Sequence, residues 1–140
     1  MPAAKESRIN RLGVIAGGGS LPGKLLEACD RQNIEVFVVA LEGQTDPKIL
    51  SGRQVSMARP GAVGKIITAF QTNQIKDMVV IGSISRPTLK ELRPDLRTAK
   101  LVARVGLSAL GDDGVLKALR REFEEEGIKI HGVQRFLTDL

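Results

Sequence analysis

Aromatic side chains are almost missing from this sequence of 140 residues, which has four Phe and neither Trp nor Tyr. Hydrophobic residues nevertheless make up 42% of it, so the core has to be built mainly from Ile, Leu and Val. Aliphatic cores of this kind suit parallel strands that are covered by helices on both faces. The shortage of aromatic residues also argues against a nucleic-acid-binding domain, because bases are usually held by aromatic stacking platforms.

Cysteine and histidine are equally scarce, with one residue of each. Cys29 has no partner for an internal disulfide, and together with His131 it cannot supply the ligands of a zinc finger. The absence of disulfides fits a reducing cytosol. No apolar run approaches the roughly 18 residues that cross a bilayer, and residues 1–10 lack the apolar stretch of a signal peptide. We therefore expect a cytoplasmic protein with a flexible N-terminus at residues 1–8.

The charge is unevenly distributed along the chain, whose formal net charge is +5. Residues 47–104 hold eleven basic and three acidic side chains, a balance of +8, whereas the remainder holds ten basic and thirteen acidic ones, a balance of −3. This basic middle segment includes Lys65 and Arg86. Such a distribution favours an anionic partner, either a phosphate, a nucleic acid or a membrane surface, without choosing among them.

Apolar runs alternate with amphipathic segments along the chain. The apolar runs predict strands at residues 11–16, 35–41, 53–58, 77–82 and 128–135. The segments with helical periodicity predict helices at residues 21–32, 62–72, 98–110 and 112–126, and Asp46 with Pro47 predicts a further short helix. Regular alternation of strands and helices over a domain-sized length predicts an α/β fold. We expect a three-layer, Rossmann-like domain over residues 9–140 with a mainly parallel sheet.

A glycine-rich turn joins the first predicted strand to the first predicted helix. It consists of Gly17, Gly18, Gly19 and Ser20. Glycines at the start of a helix let a phosphate approach the backbone N–H groups, and the helix dipole favours its charge. Ser20 is the expected N-cap, with a hydroxyl that accepts from a backbone N–H, and Pro22 lies in the first turn. The segment is not a dinucleotide fingerprint, because Pro22 stands at the third glycine position and Glu42 is a late match for the acidic residue. A tight turn without a ligand is the alternative.

A second polar turn follows the predicted strand at residues 77–82. It contains Gly82, Ser83, Ser85 and Arg86. Open parallel sheets bind ligands at the carboxyl ends of their strands, and an arginine can bind phosphate oxygens through two N–H groups. We therefore predict that the two turns converge on a phosphate or a sugar. An ordinary polar turn on the surface is the alternative.

Several other features have simpler structural interpretations. Residues 61–65 fail the spacing of a phosphate-binding P-loop, so we expect Lys65 to be solvated or to face a substrate. Asp112 or Asp113 is sufficient as a helix N-cap, although one carboxylate would also suit a sugar hydroxyl or Mg²⁺. We expect His131 to be a partly buried structural residue and Cys29 to be a core residue. The acidic run is predicted to form a solvated helix face; it comprises Glu122, Glu124, Glu125 and Glu126.

Three segments together resemble the N-terminal half of the LpxI-type UDP-2,3-diacylglucosamine diphosphatases. They are LGVIAGGGSLP at residues 12–22, GSISRP at residues 82–87 and GDDGVLKALRREFEEEGIKIHGV at residues 111–133. The resemblance implies a substrate-binding, Rossmann-like half of a two-domain hydrolase of lipid A biosynthesis. That enzyme is expected to cleave UDP-2,3-diacylglucosamine to UMP and 2,3-diacylglucosamine 1-phosphate. It also implies Mg²⁺ or another divalent cation, with the catalytic residues in a C-terminal domain that is absent from this chain.

The resemblance also implies roles for the two turns and for the acidic pair. The turn at residues 17–20 would supply backbone donors, and the turn with Ser83, Ser85 and Arg86 would contact phosphate or the acyl-glucosamine. Asp112 or Asp113 would contact the sugar. This half alone is expected to be inactive and to bind no metal. Peripheral contact with the inner membrane fits a diacylated substrate. A general nucleotide or sugar-phosphate binding module is the first alternative, and a nucleic-acid-binding domain is the second.

Overall fold

The computed structural model describes residues 9–59, 61–83, 95–105 and 113–137. The strands in these ranges are β1 (Arg11–Ala16), β2 (Glu35–Leu41), β3 (Gln54–Ala58), β4 (Asp77–Ile81) and β5 (Lys129–Ile130). The helices in the same ranges are α1 (Leu21–Arg31), α2 (Val63–Thr72), α3 (Leu96–Val105) and α4 (Asp113–Glu125). Short 3-10 helices lie at Pro47–Leu50 and Val133–Arg135. The flexible N-terminus predicted at residues 1–8 lies outside the described ranges.

The described strands form one five-stranded sheet in the order β3-β2-β1-β4-β5. Each neighbouring pair in this order is parallel, with Ala16 of β1 paired to Ala40 of β2 on one side and to Ile81 of β4 on the other. The chain first builds outward from β1 to β3 and then returns to add β4 on the other side of β1. This reversal makes the carboxyl ends of β1 and β4 the switch point at which such sheets bind ligands.

Helices cover both faces of the sheet, which gives the predicted three layers. On one face α1 packs Leu25 and Leu26 against the strands. On the other face α2 and α4 bury Phe70 and Phe123. Successive side chains of β1 from Leu12 onward are buried in one layer or the other. The predicted α/β fold with an aliphatic core is therefore confirmed. No helix among the described residues is both long enough and apolar enough to cross a bilayer.

Gly13 allows α2 to lie against the centre of β1. A Cβ atom at this position would lie 2.7 Å from Cγ2 of Ile75 and 2.8 Å from Cε1 of Phe70. We expect Gly13→Ala to lower the free energy of unfolding by about 1 to 2 kcal/mol, because a packed core has to shift to admit the methyl group. Urea unfolding of this variant, of Phe70→Leu and of the double variant measures the effect. The two losses should be less than additive; simple additivity would contradict the contact.

Cys29 is a core residue, as predicted, and is fully buried on the inner face of α1. Burial raises the pKa of its thiol to about 11; Asp30 adds to the rise and Arg53 opposes it. The thiolate is the reactive form of cysteine. We expect Ellman's reagent at about pH 8 to modify the native protein roughly 100-fold more slowly than the urea-unfolded chain. Similar rates in the two states would show that the thiol is accessible.

The described chain departs from prediction in its last strand, expected at residues 128–135. The strand ends at Ile130, and the chain turns through the second 3-10 helix. Phe136 and Leu137 are then buried in the core on the α1 face of the sheet. The burial of these two side chains explains why the chain leaves the sheet edge, because each removes a large apolar surface from water.

His131 has the structural role that was predicted, with a side chain that is 8% exposed. Its Nε2 lies 2.7 Å from Oδ1 of Asp77, and its Nδ1 lies 2.9 Å from Nη1 of Arg135. An arginine N–H can only donate, so Nδ1 accepts and Nε2 carries the proton that is donated to Asp77. The imidazole therefore links the start of β4 to the second 3-10 helix.

The acidic run at the end of α4 is only partly the solvated face that was predicted. Glu122 is buried and accepts from Nε of Arg97 at 2.9 Å, and Glu126 accepts from Nη2 of Arg97 at 2.9 Å. Residues four apart share one face of a helix, so these two carboxylates face α3 together. Glu124 and Glu125 are exposed. Arg97 belongs to the basic middle segment, and part of that charge is thus neutralised inside the fold.

Candidate functional site

The two glycine-rich turns meet at the carboxyl edge of the sheet, at the switch point between β1 and β4. The N–H of Gly18 donates to the carbonyl of Ser83 at 2.7 Å, and the N–H of Ser83 donates to the carbonyl of Gly18 at 3.0 Å. The N–H of Gly17 donates to the carbonyl of Ile81 at 2.7 Å. The two turns meet at one edge of the sheet, as predicted, through direct bonds between Gly18 and Ser83. That they converge on a phosphate or a sugar stays a prediction.

Glycine is required at this junction because the main chains approach each other closely. Gly82 has a φ of +100°, and a Cβ atom there would lie 2.8 Å from both the carbonyl oxygen of Gly18 and Cγ of Pro22. A Cβ atom on Gly18 would lie 2.9 Å from the carbonyl oxygen of Gln44 and 3.2 Å from Oγ of Ser83. These two glycines therefore serve the packing of three turns against one another.

The bonds between the turns determine which backbone donors remain for a ligand. The N–H groups of Gly17 and Gly18 are used within the protein. Within the described ranges the N–H groups of Gly19 and Ser20 make no hydrogen bond, and both residues are exposed. Gly19 has a φ of +88° and open space where its Cβ would lie. Of the four backbone donors expected at residues 17–20, only the N–H groups of Gly19 and Ser20 can therefore reach a ligand. Both lie beside the positive end of α1.

Ser20 is the N-cap residue of α1, but the prediction that its hydroxyl caps the helix is wrong. Its backbone is helical, with φ −89° and ψ −17°, and its side chain makes no capping bond. An N-cap hydroxyl reaches the second or third N–H of a helix from an extended backbone. Pro22 at the second position has no N–H to offer. Among the described residues the hydroxyl makes no capping bond, so it can bond a ligand beside the exposed N–H groups.

The N-terminus of α2, which also lies at the carboxyl edge, is closed by side chains from the start of α3. Oδ2 of Asp95 accepts from the N–H of Lys65 at 3.1 Å, and Oγ1 of Thr98 accepts from the N–H of Val63 at 3.0 Å. Oδ1 of Asp95 accepts from the N–H of Thr98 at 2.9 Å and so caps α3 as well. The interpretation of residues 61–65 as a helix start and not a P-loop is confirmed, and Lys65 is exposed.

Asp95 keeps a negative charge at the positive end of α2. Burial alone would raise the pKa of its carboxyl group, but hydrogen bonds from Thr98, Lys65 and Gly64 outweigh that effect and hold the pKa below its usual value. The residue was missed because α3 was predicted to begin at residue 98. Asp95 directly before Leu96 is a helix-start signal, since Asp is a favoured N-cap residue. It would have placed the start of α3 correctly.

A third turn, which the sequence did not indicate, completes the junction. Oγ1 of Thr45 donates to the carbonyl of Ala16 at 2.6 Å and accepts from the N–H of Leu41 at 2.8 Å. The side chain of Thr45 thus bonds the turn after β2 to the end of β1, and this places the carbonyl of Gln44 against Gly18. No local pattern signals the role of Thr45, because its partners belong to two different strands.

The remaining predicted site residues cannot be placed beside this junction. Ser85, Arg86 and Asp112 lie outside the described residues, as do residues 106–110 of the predicted third helix. Asp113 is the first residue of α4, and its side chain is outside the described part of the structure. The described part of the chain contains no group of three or more His, Cys, Asp or Glu residues that could hold a metal ion.

The strand order, the parallel pairing and the glycine-rich turn before α1 define a Rossmann-type α/β domain. The fold is similar to that of the solved Thermus thermophilus UDP-glucose 4-epimerase in complex with NAD, with a TM-score of 0.53 and 14% identity over 83% of this chain and 33% of that one. The solved structure of gox2253 gives a TM-score of 0.52 and 12% identity over 85% and 32% of the two chains. These similarities establish the fold alone.

Residues 11–140 match the LpxI N-terminal domain, and the chain belongs to this family. It is 32% identical over 135 residues to the UDP-2,3-diacylglucosamine pyrophosphatase LpxI of Caulobacter vibrioides. The match covers 94% of this chain and 47% of that protein, so the chain spans about half the length of this curated relative. The resemblance inferred from the three sequence segments is confirmed.

Proposed function

We propose that this chain is the substrate-binding N-terminal half of a hydrolase of lipid A biosynthesis. The complete enzyme would cleave the diphosphate of UDP-2,3-diacylglucosamine to UMP and 2,3-diacylglucosamine 1-phosphate. The relative in Caulobacter is a pyrophosphatase for this UDP-sugar. The observation that carries the proposal is the direct bonding of Gly18 to Ser83 at the switch point. It joins two segments that are distant in sequence and that both belong to the family resemblance.

The open half of the glycine-rich turn is the proposed phosphate contact. Gly19 and Ser20 would donate backbone N–H groups, and the hydroxyl of Ser20 would add a third donor. Hydrogen bonds to a charged acceptor are stronger than neutral ones, and the dipole of α1 adds to them. Ser83 is exposed and would bond phosphate or the acyl-glucosamine. Gly17 and Gly18 would shape the site without contributing donors, because their N–H groups are bonded within the protein, and Gly82 would let the two turns approach each other. Ser85 and Arg86 would contact phosphate, and Asp112 or Asp113 would contact the sugar.

A divalent cation such as Mg²⁺ is part of the proposed complete enzyme. The described residues do not fit such an ion, because they contain no cluster of three potential ligands. We therefore propose that the metal ligands and the catalytic residues lie in a C-terminal domain, as the 47% coverage of the Caulobacter relative allows. This chain alone would then bind substrate without hydrolysing it. A cytoplasmic protein in peripheral contact with the inner membrane fits a substrate that two acyl chains hold in a bilayer.

Nuclear magnetic resonance titration of the ¹⁵N-labelled chain tests the proposal. The ligands are UMP, 2,3-diacylglucosamine 1-phosphate and UDP-2,3-diacylglucosamine, the lipids being presented in detergent micelles. We expect saturable shifts of the Gly19, Ser20 and Ser83 amides with the two lipid ligands. Ser20→Ala should weaken their binding about tenfold, the effect of losing one hydrogen bond to a charged group. Ser51→Ala is the matched control, since Ser51 is exposed just before β3 at the opposite edge.

The outcomes of the titration separate the proposed function from its alternatives. Absence of binding by all three ligands, even with the C-terminal half of the Caulobacter relative supplied in trans, would contradict the proposal. Binding of UMP with no preference for the lipid ligands would favour a general nucleotide module. A steep salt-dependent shift of labelled DNA or RNA would favour a nucleic-acid-binding domain. We expect no such shift, because Arg53 and Arg97 of the basic segment are engaged by acidic side chains.

A further inference from the structure

We infer that this Rossmann-type domain excludes dinucleotides from its switch point, because the turn after β2 packs against the glycine-rich turn and the turn after β4 is hydrogen-bonded to it. The Thermus epimerase with the same fold was solved in complex with NAD. In dinucleotide-binding domains of this fold the pyrophosphate lies on the first helix N-terminus and a ribose lies beside the end of the second strand. Such a ligand needs room on both sides of the glycine-rich turn.

The space on the β2 side is filled by the main chain of the turn after β2. The carbonyl oxygen of Gln44 lies 2.9 Å from the place of a Cβ on Gly18. The two hydrogen bonds of Thr45, to Ala16 and from Leu41, hold this turn in place. The turn therefore occupies the side of Gly18 on which the ribose of a dinucleotide would lie.

The space on the β4 side is closed by main-chain hydrogen bonds. Gly18 and Ser83 exchange two of them beyond the end of the β1–β4 ladder, whose last bond runs from the Gly17 N–H to the carbonyl of Ile81. Pro22 also fills the position of the third fingerprint glycine and contacts the place of a Cβ on Gly82. Breaking backbone bonds without replacing them carries a desolvation cost for each group. A dinucleotide that crossed the edge would have to break these bonds first.

Among the described residues, the side of the turn formed by Gly19 and Ser20 is the one that remains open. A ligand can present one phosphate there while the rest of it projects away from the sheet. If the proposed function holds, UDP-2,3-diacylglucosamine is therefore held on this domain through one end and does not lie across the edge. The exclusion of dinucleotides itself rests on the geometry of the three turns and does not require the proposed substrate.

Titration of the chain with NADH, NADPH and NAD⁺ tests the exclusion, using nicotinamide fluorescence for the reduced forms. We expect no saturable binding up to about 1 mM, a dissociation constant that corresponds to about −4 kcal/mol. Pro22→Gly completes the Gly-x-Gly-x-x-Gly spacing without opening the turns, and it should not gain binding. Hydrogen exchange in the same samples should show protected amides at Gly17, Gly18 and Ser83 and rapid exchange at Gly19.

The outcomes of this titration decide whether dinucleotides are excluded from the switch point and whether the bonded turns are the cause. Saturable binding of any of the three dinucleotides by the unmodified chain below about 1 mM would overturn it. Binding gained by Pro22→Gly would assign the exclusion to the proline and overturn the role of the bonded turns. Rapid exchange at Gly18 and Ser83 would show that the turns are not closed. No dinucleotide binding together with protection at these amides supports the inference, even where the lipid ligands of the proposed function fail to bind.

Discussion

Replacing Gly82 with alanine is expected to lower the free energy of unfolding by about 3 kcal/mol and to separate the two glycine-rich turns. The φ of +100° at this residue is strained for any L-amino acid with a side chain. The new methyl group would also lie 2.8 Å from the carbonyl oxygen of Gly18. That oxygen accepts from the Ser83 N–H, so it cannot move without weakening the hydrogen bonds between Gly18 and Ser83. Urea unfolding measures the loss, and amide exchange at Gly18 and Ser83 measures the separation.

Two other glycines provide matched controls for the Gly82 variant. Gly19 has a φ of +88° and Gly127 a φ of +82°, and among the described residues neither has an atom beyond its chain neighbours within 4 Å of its Cβ position. Alanine at either position should therefore cost only the backbone strain, about 1 to 2 kcal/mol. Gly127→Ala, which lies beyond α4, should also leave exchange at Gly18 and Ser83 unchanged. Equal losses in the Gly82 and Gly127 variants would show that the contact with Gly18 contributes nothing.

Asp95→Ala is expected to lower the free energy of unfolding by about 2 kcal/mol, because one carboxylate caps two helices and each cap contributes about 1 kcal/mol. Oδ1 of Asp95 accepts from Thr98 in α3, and Oδ2 accepts from Lys65 in α2. Loss of the side chain would leave N–H groups of both helices without their acceptor. Thermal and urea unfolding should both report the loss, with the transition remaining cooperative.

Asp46→Ala is the matched control, because Asp46 caps a single short helix through one bond to the N–H of Lys48 at 3.0 Å. It should cost about half as much as Asp95→Ala. Equal losses would contradict the double role of Asp95.

The effect of Asp95 should also depend on pH, in a direction that follows from its lowered pKa. A carboxyl group with a lower pKa in the folded state stabilises the fold above its unfolded pKa of about 3.9. That contribution is lost as the pH falls through the folded value. The difference in stability between the unmodified protein and Asp95→Asn should therefore be constant near neutral pH and shrink below about pH 4. A difference that grows on acidification would contradict this assignment.

Much of the fold was predictable because the signals are local. The strand at residues 35–41 is apolar at every position after Glu35, and this pattern is typical of a strand that is buried on both faces. The helix at residues 62–72 places Ile66, Ile67 and Phe70 on one face, and all three are buried. Periodicity of this kind is set by the geometry of each element, so it can be read without knowledge of the tertiary structure.

The predictions that failed depend on contacts between distant residues. Ser20 has the residue type of a capping side chain, yet the backbone that leads from the bonded turn into α1 gives it a helical conformation. Glu122 lies in a charged run of a kind that is normally solvated. In the structure, however, Arg97 on α3 faces this run and pairs with both Glu122 and Glu126. The last strand ends early because the chain turns to bury Phe136 on the α1 face of the sheet. Arg97 lies 25 residues from Glu122, and the core that buries Phe136 is formed mainly by β1, α1, β2 and β4, so neither contact is local in sequence.

By itself, the sequence determined the aliphatic core, the alternation of strands and helices, the positions of the two glycine-rich turns and the family, because composition, periodicity and short segments carry that information. Only the tertiary structure decided how the turns are used. The strand order β3-β2-β1-β4-β5 sets Gly18 beside Ser83, and their bonds leave Gly19 and Ser20 as the open donors. The physical reason is that a backbone N–H bonds whichever carbonyl the sheet places next to it, and no local pattern in the chain specifies that neighbour.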